Sequence, residues 1–289
     1  MRAVVLDGPG PPEALVIRDI PVPDPAVGWV LIRVRAFGLN RSELHTRLGL
    51  AQGVTFPRVP GIEAVGQVAE CPGGEFAPGQ QVGSDLDWSV PEMLQTASGS
   101  LDVGLDARPG QSILIRGGTS SVGMATAVLA KQRGMTVLST TRSPAKSTAL
   151  AGIGADHVLI DDGQVAGRVR RILADGADCA LELIGTPTLP DTLRSVRVHG
   201  VVCFTGMLSN QWTVRDFYPI DYLPRGVRLA AYGGESADLP PLLLQDFLDR
   251  VAAGTAVVPI GHVYRLDQIV EAHAAMEANR VSGKLVVLT

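Results

Sequence analysis

The apolar residues of this chain follow one pattern up to about residue 87 and another pattern after it. The first part contains short runs that are rich in apolar and β-branched residues, as in strands. These runs are "RAVVLD", "ALVIRDI", "WVLIRVRAFG" and "GIEAVGQVAE", and stretches such as "PVPDPAVG" and "CPGGEFAPG" indicate turns between them. One short helix, "RSELHTRLG", is predicted, with Asn40 as its N-cap and Gly49 at its end.

From about residue 88, apolar runs of strand length alternate with segments of helical periodicity. The predicted strands are Ser112–Arg116, Thr136–Thr140, His157–Ile160, Ala177–Ile184, Gly200–Gly206 and Val227–Tyr232, and the helical segments lie near 120–134, 144–151, 164–173, 189–197 and 239–254. Repeated β-α-β units imply an α/β fold with a doubly wound parallel sheet covered by helices on both faces. The chain ends in a predicted strand, helix and strand that we expect to return to the first domain.

Charge and composition exclude several classes of partner. The 289 residues carry a net charge of −4, and their Lys and Arg residues form no cluster, which argues against nucleic acid and against an acidic membrane surface. No apolar run has the length of a membrane span. Cys71, Cys179 and Cys203 are far apart in sequence, which argues against a disulfide framework or a zinc knuckle. We therefore expect a cytoplasmic protein with reduced thiols.

The segment "IRGGTSSVGM", residues 115–124, joins the first strand of the alternating part to its first helix. Glycines permit a tight turn and let a phosphate approach the backbone, while the helix N-terminus offers unpaired N–H groups. This design is typical of a dinucleotide pyrophosphate site. The predicted contacts are Gly118, Thr119, Ser120, Ser121, Val122 and Gly123. The spacing is not a strict G-x-G-x-x-G, so a purely structural turn stays open as the alternative.

The end of the second strand bears on the choice of cofactor. An NAD site usually has an Asp or Glu there, which accepts hydrogen bonds from the ribose 2′-OH. The run "TVLSTTRSPAK" has no carboxylate and instead offers Thr141, Arg142, Ser143 and Lys146. Hydroxyls and positive charge suit a 2′-phosphate, so we predict NADPH. The alternative is an ordinary solvated basic turn.

Six segments together resemble one protein family. They are "RAVVLDGPGPPEALVIRDIPVP", "VRAFGLNRSELHTRLG", "VPGIEAVGQV", "RGGTSSVGMATAVLAKQRG", "GADHVLIDD" and "GKLVVL". In this order, and nearly end to end, they resemble a medium-chain dehydrogenase/reductase of the zinc-free quinone oxidoreductase type. The resemblance implies a GroES-like β-rich domain at 1–87, completed by 255–289, and a Rossmann domain at 88–254.

The same resemblance bears on metal binding. Zinc alcohol dehydrogenases of the superfamily hold a catalytic metal at positions that fall here on Asn40, Ile62 and Glu92. Ile62 cannot bind a metal and Asn40 is a poor zinc ligand, so we predict no zinc. His45 is interpreted as a surface or packing residue.

A zinc-free site favours an acceptor that delocalises charge, such as a quinone or an α,β-unsaturated carbonyl. We predict hydride transfer from NADPH to such an acceptor. Asn40 is the candidate hydrogen-bond donor to the substrate oxygen, with the helix N-cap as its alternative or additional role. Glu92 is a candidate acid, and its alternative is a carboxylate in the first turn of a helix.

The resemblance also implies cofactor contacts on the loops after later strands. These are Ile184, Gly185, Thr205, Gly206 and Met207, together with Lys284, for which an exposed, solvating lysine is the alternative. Strand ends of this kind are where an open α/β sheet binds its ligand.

One segment departs from the family. A strand that should follow "APGQQV" is missing near residues 83–87, either as a true deletion or because residues are absent from the chain. A real loss would open the substrate pocket, which leaves a non-catalytic NADPH-binding protein, structural or a redox sensor, as an alternative function. A further alternative function is that of a zinc-type alcohol dehydrogenase. The residues do not specify an oligomeric state. The family often pairs through an edge of the Rossmann sheet, so the resemblance offers the strand at Val227–Tyr232 as the edge of a possible homodimer.

Overall fold

The computed structural model describes residues 1–82 and 90–289. The strands are β1 (Arg2–Leu6), β2 (Leu15–Asp19), β3 (Leu31–Leu39), β4 (Val65–Glu70), β5 (Gln81–Val82), β6 (Ser112–Arg116), β7 (Thr136–Thr141), β8 (His157–Ile160), β9 (Ala177–Glu182), β10 (Val196–Phe204), β11 (Arg228–Ala231), β12 (Ile260–Arg265) and β13 (Lys284–Leu288). The helices are α1 (Arg41–Arg47), α2 (Pro91–Gly99), α3 (Ser121–Gln132), α4 (Ser147–Gly152), α5 (Ala166–Ile172), α6 (Leu189–Ser195), α7 (Pro219–Tyr222), α8 (Pro241–Ala252) and α9 (Ile269–Glu277).

The chain divides into two compact units. The first comprises Met1–Glu92 and Ile260–Thr289, and the second comprises Met93–Pro259. The predicted boundary between residues 87 and 88, and the segment at 83–87 that departs from the family, lie outside the described residues.

The first unit contains a five-stranded mixed sheet in the order β12-β13-β3-β4-β5, and β1 and β2 form a separate antiparallel pair. The C-terminal strand β13 lies inside this sheet because it pairs antiparallel with β3, with Leu285 opposite Leu39. The apolar core joins residues of β1, β3, β13 and α9 that are far apart in the chain: Val4, Leu6, Leu39, Ala272, Ala275, Leu285 and Val287. The last thirty residues are therefore structurally part of the first unit.

The second unit is built on a six-stranded parallel sheet in the order β11-β10-β9-β6-β7-β8. The chain begins in the middle of the sheet at β6, moves outward through β7 and β8, and then returns to β9 on the other side. Every residue of β6 is buried, which explains its uninterrupted apolar run. The order of the strands reverses between β6 and β9, so the crevice for a ligand is expected at their carboxyl ends. This sheet confirms the predicted doubly wound α/β fold.

Four of the predicted strands differ from the observed ones. Strand β7 extends one residue further, to Thr141, and β11 spans Arg228–Ala231 where Val227–Tyr232 was predicted. The other two differences are larger. The strand predicted at Ala177–Ile184 ends at Glu182, because the backbone N–H groups of the next turn donate to the Glu182 carboxylate. The strand predicted at Gly200–Gly206 begins earlier, at Val196, and its pairing with β9 shifts register between Val196 and Val201.

Candidate functional site

The loop after β6 has the geometry expected of a phosphate-binding turn. Gly117 adopts φ +86°, a left-handed conformation that favours glycine. Its N–H donates to Thr140 Oγ1 at 3.0 Å, and the N–H of Gly118 donates to the Thr140 carbonyl at 3.1 Å. These two bonds attach the loop to the end of β7.

The start of α3 packs against this loop without space for a side chain. Ser120 is the N-cap, and its Oγ accepts the N–H of Gly123 at 3.1 Å and donates to the Gly117 carbonyl at 2.8 Å. A Cβ on Gly123 would lie 2.6 Å from the Gly117 oxygen, so a larger residue would push the helix away. The N–H groups at the start of a helix lack partners within it and attract anions. The cradle therefore fits the pyrophosphate of a dinucleotide.

The loops after β9 and β10 are joined to each other and to the phosphate loop. The Leu208 N–H donates to the Leu183 carbonyl at 3.0 Å, and the Ser209 N–H donates to the Ile184 carbonyl at 2.8 Å. Leu183 and Ile184 side-chain atoms lie 3.1 Å from the position that a Cβ on Gly117 would take. The structure thus brings together the predicted cofactor residues on these loops: Gly118–Gly123, Ile184, Gly185, Thr205, Gly206 and Met207.

The end of β7 carries the residues predicted to select the cofactor. Thr141 Oγ1 donates to the Ser143 carbonyl and accepts the Ser143 N–H, both at 3.2 Å, and so forms a compact turn. Arg142 is exposed and Lys146 is half-buried. The carboxylate at the end of the neighbouring strand, Asp161, is already bound to Arg116. The turn thus presents positive charge and hydroxyl groups.

An ion network that the sequence analysis missed lies directly behind the phosphate loop. Arg116, the last residue of β6, is fully buried. Its Nε and Nη2 donate to Asp161 at 2.9 Å each, and Nη1 donates to Asp191 at 2.7 Å. Burial disfavours the ionised form of Asp161, but the hydrogen bonds and charge of Arg116 outweigh it and lower the pKa of this carboxyl. The network connects the ends of β6 and β8 to the start of α6.

Glu182, at the end of β9, is the register partner of Arg116 and is also fully buried. Its Oε1 accepts the N–H groups of Ile184 at 2.7 Å and Gly185 at 3.0 Å. Burial raises the pKa of Glu182, and hydrogen bonds offset part of this effect. The sequence did contain a signal, because "SILIR" and "ADCALE" each end an apolar strand with a charged residue, and buried charges require partners.

The first unit holds a second buried ion cluster. Lys284 Nζ forms an ion pair with Glu63 Oε1 and donates to Asn40 Oδ1 at 2.5 Å. Asn40 Nδ2 donates to Glu63 Oε1 at 3.0 Å, and the backbone N–H of Glu92 donates to Glu63 Oε2 at 3.0 Å. The structure therefore brings together Asn40, Lys284 and the backbone of Glu92. Glu63, which lies in the family-like segment "VPGIEAVGQV", was not singled out from the sequence.

The alternative interpretation of Lys284 as an exposed, solvating lysine is wrong. Its side chain is 0% exposed. The register that places Leu285 opposite Leu39 brings Lys284 beside Asn40, in the interior of the sheet. Lys284 belongs to the first unit, whereas the other predicted cofactor residues belong to the second.

Helix α1 supplies a further buried acid. Asn40 occupies the predicted N-cap position, and its backbone N–H donates to Glu43 Oε2 at 2.8 Å. Burial raises the pKa of Glu43 to about 7, although hydrogen bonds and the charge of Lys284 oppose the shift. His45 is 7% exposed and is therefore a packing residue of this helix. Glu92 lies in the first turn of α2 and is half-buried.

The residues at the positions of a catalytic zinc do not fit that metal. The Asn40 oxygen faces the Lys284 ammonium, and the Ile62 side chain is apolar and 55% exposed. Within residues 1–82 and 90–289, no three His, Cys, Asp or Glu side chains are grouped so that they could hold a metal ion. In the same part of the chain, no helix is both long and apolar enough to cross a membrane.

Two family models match the chain. Residues 26–139 match the alcohol dehydrogenase GroES-like domain, and residues 153–287 match the zinc-binding dehydrogenase domain. The quinone oxidoreductase of Mus musculus is 26% identical over 335 residues, which covers 100% of this chain and 98% of that protein.

Solved structures share the fold. A mycobacterial protein solved as a complex with NADPH has a TM-score of 0.89 at 23% identity, with 100% of both chains covered. A quinone oxidoreductase from Pseudomonas syringae has a TM-score of 0.88 at 21% identity, with 100% of this chain and 99% of that chain covered. A GroES-like unit joined to a Rossmann unit defines a two-domain dehydrogenase fold. The chain belongs to the medium-chain dehydrogenase/reductase superfamily and is quinone oxidoreductase-like.

Proposed function

We propose that the protein is an NADPH-dependent reductase that transfers hydride to a quinone or an α,β-unsaturated carbonyl without zinc. The glycine cradle at the start of α3 is the observation that carries the proposal, because it fits a pyrophosphate and leaves no space for side chains. Membership of the superfamily and the quinone oxidoreductase relatives support an oxidoreductase with a nicotinamide cofactor.

The preference for NADPH rests on the turn after β7. A 2′-phosphate requires cationic or hydroxyl donors, and the planar guanidinium of Arg142 suits it, with Thr141, Ser143 and Lys146 beside it in sequence. A carboxylate that would accept a ribose hydroxyl is absent from Thr141–Lys146. Asp161 cannot take that role while both its oxygens are bound to Arg116.

Bound NADPH would supply the hydride. Hydride addition breaks a π bond of the conjugated acceptor, and negative charge develops on its oxygen until a proton arrives. Asn40 donates an N–H to that oxygen in our proposal, and such donors act most strongly where charge develops. Glu92 is proposed as the acid that supplies the proton.

Zinc independence is supported by the chemistry of the donors. An amide oxygen, an exposed isoleucine and a buried lysine ammonium make a poor set of ligands for zinc, which prefers Cys, His and carboxylate groups. We expect turnover to persist in enzyme that is free of zinc by elemental analysis. Activity that appears only after zinc is added would support a zinc-type dehydrogenase instead.

Cofactor binding is the first test. Titration with NADPH and with NADH, followed by nicotinamide fluorescence, should show tighter binding of NADPH. Arg142→Ala should raise the Kd for NADPH about tenfold and leave the Kd for NADH unchanged. Arg171→Ala, an exposed arginine of α5, is the matched control. Equal binding of both cofactors would remove the role of Arg142, and binding of neither would contradict the proposal.

A panel of quinones and enones then tests catalysis. Consumption of NADPH supports a reductase, whereas tight binding without consumption by any acceptor supports the non-catalytic binding protein. Asn40→Ala should lower kcat with little change in the Kd for NADPH.

We also propose a cytoplasmic homodimer. The free thiols Cys71, Cys179 and Cys203 suit a reducing compartment. Strand β11 forms one edge of the parallel sheet, and its backbone can pair with that of a second copy. Light scattering at several protein concentrations distinguishes the dimer from a monomer.

A further inference from the structure

Lys284 is one of three lysines in the chain and is a cation enclosed within the first unit. Its side chain is 0% exposed and that of Glu63 is 3% exposed. A lysine ammonium is rarely buried unless it is paired, because leaving water is costly. The pair with Glu63 compensates the charge, and the bond to the Asn40 oxygen satisfies a second N–H.

Three neighbouring strands build this arrangement. Strand β3 lies between β13 and β4, with Leu39 opposite Leu285 and Ala36 opposite Val65. Asn40 and Glu63 lie just beyond the ends of these pairings, where Asn40 meets Lys284 and Gly38 meets Glu63. A Cβ on Gly38 would lie 2.3 Å from both Glu63 Oε1 and Lys284 Cε. The side chains of the pair thus occupy the space that any larger residue at position 38 would need.

The cation determines how the Asn40 amide is oriented. Because an ammonium can only donate, the Asn40 oxygen must face Lys284 and the NH₂ group must face the other way. One N–H of that group donates to Glu63 at 3.0 Å. The second N–H of the Asn40 side chain has no acceptor among residues 1–82 and 90–289. A positive charge at the amide oxygen also withdraws electron density from the nitrogen and makes the remaining N–H a stronger donor.

We infer that Lys284 is a positioning residue, a resident cation that fixes and polarises the Asn40 amide so that the second N–H of this amide is presented to the substrate oxygen. The Lys284 ammonium acts through Asn40 without touching the substrate. This inference rests on the proposed reductase function, and the experiment separates the two.

The test is replacement of the side chain by a soluble amine. Lys284→Ala removes three methylenes and the ammonium, which propylammonium matches in length and charge. We expect kcat for a quinone to fall about 10²-fold, the typical effect of losing one oxyanion donor. The Kd for NADPH should not change, because the inference assigns the Lys284 ammonium to Asn40 and Glu63 in place of the cofactor contact that the resemblance implies. A clearly higher Kd would support that cofactor contact and overturn the positioning role. Propylammonium should restore kcat and raise the Tm of the variant in a saturable manner, whereas propan-1-ol should do neither. Lys131→Ala, which removes a partly exposed pair with Asp156, is the control and should show no amine rescue.

A second measurement uses the wild-type protein, so it does not depend on the folding of a variant. Reductive methylation followed by mass spectrometry should modify Lys131 and Lys146 under native conditions and Lys284 only after unfolding. Rapid native methylation of Lys284 would overturn the inference. Propylammonium could also restore the Tm of Lys284→Ala without restoring its kcat. That result would overturn the positioning role. If the wild type reduces no acceptor, the reductase proposal fails, whereas the Tm and methylation results still decide whether Lys284 is a resident cation.

Discussion

Each unit buries a fully enclosed cation beside its candidate site residues, Lys284 in the first and Arg116 in the second, and the two cations have different partners. In the second unit, Arg116 binds two carboxylates, Asp161 and Asp191, and also the Thr188 carbonyl and the Thr192 hydroxyl at the start of α6. In the first unit, Lys284 meets one carboxylate and one amide. Arg116 is a rigid fork whose donors are all directed at fixed acceptors, whereas a lysine ammonium is a compact charge that can orient a neighbouring amide. Arg116 is thus a cation that connects the ends of strands, whereas Lys284 is, in our inference, a cation that orients the Asn40 amide.

The largest effect should come from removing the second unit's cation. Arg116→Met leaves Asp161 and Asp191 buried without their partner, and breaking a buried pair in this way typically costs about 3–5 kcal/mol. We expect a loss of this size in the free energy of unfolding, measured by urea denaturation. Arg197→Met, which breaks a partly exposed pair with Asp178, should cost about 1 kcal/mol or less. Equal losses in the two variants would mean that the Arg116 network is not a special feature of the sheet.

The next largest effect is on how the free energy of unfolding depends on pH, and it comes from Glu43 in the first unit. Burial raises the pKa of Glu43 from its ordinary 4.5 to about 7, so the folded protein keeps this proton over a range in which the unfolded chain releases it. The contribution of Glu43 to stability therefore falls as pH rises from 4.5 to about 7, by about 3 kcal/mol in total. Glu43→Gln cannot ionise and should lose this dependence.

The measurement is a set of urea denaturations of wild type and Glu43→Gln between pH 4.5 and 8. The stability of the variant relative to wild type should increase with pH and level off above about pH 7. His273, whose pKa is lowered to about 4 by burial and by the charge of Arg47, has the opposite slope but is the same in both proteins. A difference that does not vary with pH would show that Glu43 ionises normally in the folded state.

A smaller effect, on the Kd for NADPH, tests whether the loop after β6 binds the phosphates of the cofactor. Gly123→Ala places a methyl group 2.6 Å from the Gly117 oxygen and 2.8 Å from the Gly118 Cα, so the helix must shift away from the loop. We expect the Kd for NADPH to rise about tenfold, which corresponds to about 1.4 kcal/mol.

The matched control for this change is Gly152→Ala, in a helix where an added Cβ meets nothing within 4 Å. This variant should bind NADPH as wild type does and should be equally or slightly more stable, because alanine favours a helix. Unchanged binding by Gly123→Ala would show that the loop tolerates a shifted helix and would weaken the phosphate-site assignment.

Features that depend on neighbouring residues could be predicted from the sequence alone. The turn at Gly117, the N-cap position of Asn40 and the strand at Ser112–Arg116 follow from local pattern and backbone chemistry. Strand ends were harder to predict, and β9 stops at Glu182 because a side chain captures the next N–H groups, which no periodicity reveals.

Only the tertiary structure decided which charges meet. Lys284 and Asn40 are 244 positions apart, and Arg116 and Asp191 are 75 apart. Residues this distant are joined by strand order and register, which are settled when the whole sheet forms. The sequence therefore determined the two sheets, the glycine turn and the family of the protein. The burial of Lys284 depended on β13 pairing inside the first sheet, because only that position removes its ammonium from water and places it against Asn40.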